Sequence, residues 1–193
     1  TLWHTLSLHD ALPISGVRRR IADLEALLCD RALAQTQVVV HRDFHARNLM
    51  RLVDGTLGTI DFQDAVVGPV TYDPVSLLRD CYLRWEPARV RDWSLAHRES
   101  LAAQCVKVPP PADWLVDFDW MGLQRHIKVL GIFARLYRRD DKAGYLRDLP
   151  RVIAYVREVL GLYRHEAAFA DFAGWFDAEV MPRAAAQPWF RPS

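Results

Sequence analysis

A run of valines, Val38 to Val40, opens directly into HRDFHARN, and TIDFQD follows across an interval broken by Asp54-Gly55. This crowding of charge between short apolar segments constrains the chain more than any other feature. Short runs rich in Val, Ile, Leu and Thr, bounded by turn residues, read as strands, and Asp-Gly between two of them reads as a hairpin. Residues 38–40 are therefore expected to be a short buried strand. Residues 48–53 and 56–60 are expected to be the arms of a hairpin. A charged loop precedes that hairpin and a second acidic loop follows it.

Three chemistries fit such a loop. It can be a solvated polar connection. His41, Asp43 and His45 can form a metal site, because alternate residues of an extended segment share a face; no further His/Cys cluster in the sequence completes it. The third is phosphoryl transfer, which needs a carboxylate to orient the attacking hydroxyl and take its proton, and hard oxygen ligands for Mg²⁺. In a loop of the type H-R-D-x-x-x-x-N these tasks fall to the Asp and to the Asn five residues later. His41, Arg42, Asp43 and Asn48 have that spacing, and Asp61 stands beyond the hairpin as a second metal carboxylate. The joint pattern is far more specific than any of its parts. It makes Asp43 the base, Asn48 and Asp61 the metal ligands, and His41 a scaffold for the loop.

The rest of the chain is expected to be mostly helical. Ile21, Leu24, Leu27 and Leu28 recur at helical spacing within residues 17–33. Gly68-Pro69 marks a loop, after which Asp73 caps a helix through Leu77, Leu78 and Cys81. Further helices are expected over 86–104, 114–139 (with Asp113 as cap), 150–163 and 167–180. No repeat or low-complexity tract is present. Residues 1–15, TLWHTLSLHDALPIS, fit nothing downstream and read as a non-native or disordered leader resembling translated adaptor sequence.

Composition excludes several classes. With 193 residues, half of them apolar, and a net charge of +1, nothing argues for nucleic acid or a membrane surface as partner. The three cysteines are scattered and odd in number, which argues against a disulfide framework and for a reducing cytoplasm. No apolar run approaches the roughly 18 residues of a membrane span.

HRDFHARN resembles the catalytic loop of the aminoglycoside phosphotransferase and choline kinase-like superfamily, small-molecule kinases with a protein-kinase-like fold. His45, two places after the Asp, is typical of that superfamily. IDFQDAVVGPVTYDPVSLL matches its pattern of metal Asp, Gly-Pro turn and later helix-opening Asp. Within the superfamily the sequence is most similar to bacterial kinases that phosphorylate the anomeric hydroxyl of N-acetylmuramate and N-acetylglucosamine in cell-wall recycling. HRDFHARNLM, IDFQDAVVGPVTYDPVSLLRDCYLRW and GLQRHIKVLGIFARLYRRD carry that likeness.

The resemblance implies a mainly α fold with a small β-hairpin, the C-terminal lobe of a protein-kinase-like enzyme over residues 16–193. It implies a catalytic loop at 41–48, a metal-binding loop at 60–64 and a helical substrate subdomain at 73–182. It also implies ATP as phosphoryl donor, Mg²⁺ as cofactor, an amino sugar as acceptor, and Asp73 as a brace for the loop beside His41 and His45. Arg79, Asp80 and Trp85, with Gln124, Arg125 and His126, are candidate sugar contacts, since sugars call for planar and polar side chains and a lactyl carboxylate for cations. Trp114 and Trp120 are expected in the core.

Two departures accompany the likeness. No Lys and only Gly16 precede His41, so the nucleotide-covering N-terminal lobe is expected to be missing and the chain by itself not to turn over ATP. Gln63 stands where protein kinases carry the Gly of D-F-G, and there is no A-P-E segment. The rival readings are another small-molecule kinase, with an aminoglycoside, choline or homoserine acceptor, and a non-catalytic binding fragment.

Overall fold

The computed structural model describes residues 14–190. The expected leader lies outside them, except for its last two residues, which open helix α1. In chain order the elements are α1 (Ile14–Ala34), β1 (Gln37–Val40), β2 (Leu49–Arg51), β3 (Leu57–Thr59) and β4 (Val66–Pro69), then α2 (Tyr72–Leu78), α3 (Pro87–Ala103) and α4 (Pro111–Asp140). A 3-10 segment then leads into α5 (Leu149–Leu162); α6 (Ala167–Trp175) is followed by a π-helical turn and α7 (Met181–Ala185). The fold is mainly helical, as the sequence pattern leads one to expect, and it carries two small antiparallel sheets where the pattern gives one hairpin. No described helix is long and apolar enough to cross a membrane.

The chain divides into two compact units, one of Asp30–Gly122 and one of the remaining described residues. Within Asp30–Gly122, Val75, Val90, Phe118 and Met121 form a buried cluster with Ala32, and Tyr72, Leu78 and Trp85 pack against it. Trp114 is fully buried, as expected, and donates from Nε1 to Ser94 Oγ at 2.9 Å. Asp117 is buried beside Arg31, with which it pairs. Burial pushes its carboxyl above the usual range, and Arg31 offsets part of that rise.

The strands differ from expectation in three ways. β1 is not a buried strand: it pairs with a strand the sequence did not reveal, β4, and only Val40 is buried while Val39 is largely exposed. Gly68-Pro69, read as a loop, is the end of β4. Proline is tolerated there because it sits at the end of an edge strand. Gly68 pairs with Val38, and a Cβ at Gly68 would stand 2.8 Å from Val40 Cγ2, so any side chain there must displace Val40. The hairpin is also shorter in its arms than its apolar segments suggest. Leu49 pairs with Thr59 and Arg51 with Leu57, and the reversal takes up residues 52–56. Gly55 N–H donates to Leu52 C=O at 3.0 Å, and Gly55 itself has φ +85°. That is where three-residue hairpin loops with a bulge take glycine.

In the other unit α5 is the most buried element. Val152, Val156, Val159 and Leu160 lie within it, and α6 and its continuation supply Phe169, Phe172, Trp175 and Phe176. Tyr155 stacks on His126 with ring centroids 4.6 Å apart and planes 4° from parallel.

Two predictions follow from the Asp30–Gly122 unit. Gly68→Ala should destabilise it by about 1–3 kcal/mol in urea denaturation, and the loss should shrink in a Val40→Ala background, where the obstructing methyls are gone. His97 lies between Trp114 and an apolar cavity beside β1, and burial holds its imidazole below its ordinary pKa. A lowered folded pKa means the unfolded chain binds the proton more readily, so stability is full above the ordinary value of about 6.5 and falls as pH drops through it toward the folded value. Thermal denaturation between pH 7.5 and 5 should show this acid loss, and His97→Phe should flatten it.

Candidate active site

The charged loop is shaped by one carboxylate. Asp73, in the first turn of α2, accepts the backbone N–H of His41 at 2.6 Å and that of Arg42 at 3.0 Å, one on each oxygen. Asp73 is therefore inside the helix and not its cap: Thr71 holds the cap position. Arg42 has φ +72°, a left-handed conformation that costs a non-glycine residue energy. The bond from its N–H to Asp73 helps stabilise that kink. α2 also stops at Leu78, so Cys81 lies outside it, with Arg79 leaving helical geometry.

A second set of bonds ties this loop to the hairpin. His41 Nε2 lies 3.0 Å from Ile60 C=O, and since a carbonyl only accepts, Nε2 carries the proton. Ile60 N–H donates to Asn48 C=O at 3.1 Å, extending the β2–β3 ladder by one step. Asn48 Nδ2 donates to Asp43 C=O at 2.9 Å and lies 3.5 Å from Asp61 Oδ2. Asp61, at φ +65°, accepts on its other oxygen from Gln63. Loop 41–48 and loop 60–64 thus meet at Asn48.

The charge balance there is distinctive. Asp43 and Asp61 are exposed, and among the described residues neither forms an ion pair. Asn48 commits its Nδ2 to Asp43 C=O, which leaves Oδ1 for a cation. Two hard oxygen donors side by side, with uncompensated negative charge, fit Mg²⁺. They do not fit zinc or iron held by His-x-Asp-x-His. No group of three or more His, Cys, Asp or Glu residues among the described residues is placed to hold a metal, and His41 is already spent on Ile60. His45 packs edge-on against Tyr82, ring centroids 6.0 Å apart, with its Nδ1 buried and unbonded.

The candidate sugar contacts sit in two places. Arg79 pairs with Asp119 and lies 4.9 Å over the Phe118 ring. Asp80 is 4% exposed and accepts Tyr82 N–H at 3.2 Å. Trp85 packs on the cluster and meets Trp93 edge-on at 5.2 Å. These three are engaged within the Asp30–Gly122 unit. Gln124, Arg125 and His126 belong to the other unit, where Gln124 Nε2 lies 4.0 Å from Cys29 Sγ and His126 is buried on Tyr155. One neighbour of the loop had no sequence signal: the Arg47 guanidinium lies 3.4 Å from the centre of the Tyr82 ring.

Residues 2–108, more than half of the chain, match the model of the phosphotransferase enzyme family. The N-acetylmuramate/N-acetylglucosamine kinase of Neisseria meningitidis is 50% identical over 135 residues, 68% of this chain and 39% of the relative. That of Pseudomonas putida is 48% identical over 138 residues, covering 70% and 40%. That of Caulobacter vibrioides is 35% identical over 154 residues, covering 76% and 39%. The chain spans about two fifths of the length of the curated relatives it matches.

Asp73→Ala should leave two backbone N–H groups of the loop without acceptors. Each lost acceptor costs about 1–3 kcal/mol when the donor stays buried, so urea denaturation should show a loss of at least that size. Asp73→Asn, which keeps one acceptor oxygen, should fall between the two.

Proposed function

The chain belongs to the phosphotransferase enzyme family, and from that premise we propose that it carries the catalytic half of an ATP-dependent kinase for the anomeric hydroxyl of N-acetylmuramate and N-acetylglucosamine. The single observation that carries the reading is the meeting of Asp43, Asn48 and Asp61 across two loops stitched by Ile60. The names of the relatives support the acceptor class.

In this reading residues 16–193 form a kinase-like C-terminal lobe with its catalytic loop at 41–48, its metal loop at 60–64 and helical residues 73–182 on the substrate side. It acts in the cytoplasm, where ATP and recycled amino sugars meet. Asp43 orients the sugar hydroxyl and takes its proton as the bond to phosphorus forms. An anomeric hydroxyl is more acidic than an ordinary alcohol, so orientation and charge neutralisation do most of the work. Asn48 and Asp61 hold Mg²⁺, whose chemistry is to neutralise the phosphate oxygens of ATP. Asp73, His41 and His45 keep the loop in shape. Arg79, Asp80 and Trp85 hold the segment that faces the loop, and Gln124, Arg125 and His126 remain candidates for acceptor contact.

The test is ATP-dependent phosphorylation by a full-length polypeptide containing this chain. N-acetylmuramate and N-acetylglucosamine should be phosphorylated, and Asp43→Asn should lower kcat by about 10²–10⁴-fold with binding of sugar retained. Transfer to an aminoglycoside, choline or homoserine but not to amino sugars would move the assignment within the family. Sugar binding by calorimetry with no transfer would favour a binding module.

A further inference from the structure

We propose that Arg47, held flat on Tyr82, reads the carboxylate of an acidic sugar acceptor and so determines preference between N-acetylmuramate and its neutral counterpart. The proposal rests on the kinase reading above. Arg47 lies between Asp43 and Asn48 in the loop, and its side chain has a different neighbour from that of Asn48. Asn48 turns to Asp43 C=O and Asp61, the side of the proposed metal ligands. Arg47 turns to Tyr82, in the segment between α2 and α3. The loop thus carries the proposed metal ligand and a cation at adjacent positions after the proposed base, and the cation is the one suited to an acidic acceptor.

The guanidinium is suited to that task. It is exposed, and among the described residues no carboxylate pairs with it. Stacking on a ring holds the plane of the guanidinium while leaving its edge N–H groups for a bidentate partner. Tyr82 is itself fixed: Asp80 accepts its backbone N–H at 3.2 Å, and His45 packs against the ring. In the segment that carries Tyr82, Arg79 is already committed to Asp119. N-acetylmuramate differs from N-acetylglucosamine by a lactyl ether that ends in a carboxylate, so one guanidinium at the acceptor flank separates the two.

The experiment compares kcat and KM for both sugars in a full-length polypeptide containing this chain, unaltered and as Arg47→Met, Arg47→Lys and Tyr82→Leu. Arg47→Met should raise KM for N-acetylmuramate about 10–100-fold, the range of a charge-assisted hydrogen bond, and leave N-acetylglucosamine within about threefold. Arg47→Lys should recover part of the loss, and Tyr82→Leu should reproduce part of it. An equal loss for both sugars, or a loss confined to kcat, would overturn the proposal and assign the guanidinium to the transferring phosphoryl group. No change in either sugar would overturn it as well. An unaltered protein that phosphorylates neither sugar would overturn the kinase reading, and this inference with it.

Discussion

The carboxylate of Asp73 bridges two consecutive backbone N–H groups, and the geometry of the site hangs from that bridge. A loop carrying so much charge has no apolar reason to hold one shape. Its residue 42 sits in left-handed backbone that costs a non-glycine residue about 1–3 kcal/mol. An ionised acceptor makes hydrogen bonds roughly twice as strong as neutral ones, and it offers two oxygens at the spacing of adjacent amides. Asp73 can do this because α2 is seated by burial of Val75 and Ser76, one turn into the core. Burial of one short helix thus sets the path of the loop, and the loop sets where Asp43 and Asn48 stand.

Ile60 provides the second fixed point. Its N–H donates to Asn48 C=O and its C=O accepts from His41, so one residue binds both ends of the charged loop. Asp61 comes next in the chain and inherits that position. The hairpin before it needs no long strands, because Gly55 closes the reversal and the ladder runs on through Asn48 and Ile60. The proposed base and metal ligands come from two loops on either side of one hairpin, and few bonds are needed to bring them together.

What could be read in the sequence was whatever chemistry forces into a fixed spacing. Asp43, Asn48 and Asp61 stood out as a set because the proposed phosphoryl transfer uses all three at that spacing, and the helices were legible because apolar burial repeats with the helical period. The strand β4 was not legible: Val66 and Val67 are exposed, and Gly68-Pro69 carries a turn signature that pairing overrides. The clamping role of Asp73 was visible only through family resemblance, since its partners lie about 30 residues earlier and are backbone groups. The same holds for Arg79. Its position near the loop suggested a ligand, but its counter-ion Asp119 is 40 residues away, and no local pattern encodes that pairing.

The acids themselves separate frame from site. A buried charge must have a partner, because leaving it alone in a low-dielectric interior costs more than folding can absorb. Buried Asp117 has Arg31, half-buried Asp119 has Arg79 and half-buried Asp73 has two backbone amides, while buried Asp80 accepts from Tyr82 N–H on one oxygen. Asp43 and Asp61 are exposed and have no cation among the described residues. Exposure keeps them hydrated without a protein partner, open to whatever cation or hydroxyl approaches. The same reasoning applies with opposite sign to Arg47, whose ring contact orients it without neutralising it. The ion pairs of Asp117 and Asp119 belong to the frame, whereas Asp43, Asp61 and Arg47 face solvent beside the two loops.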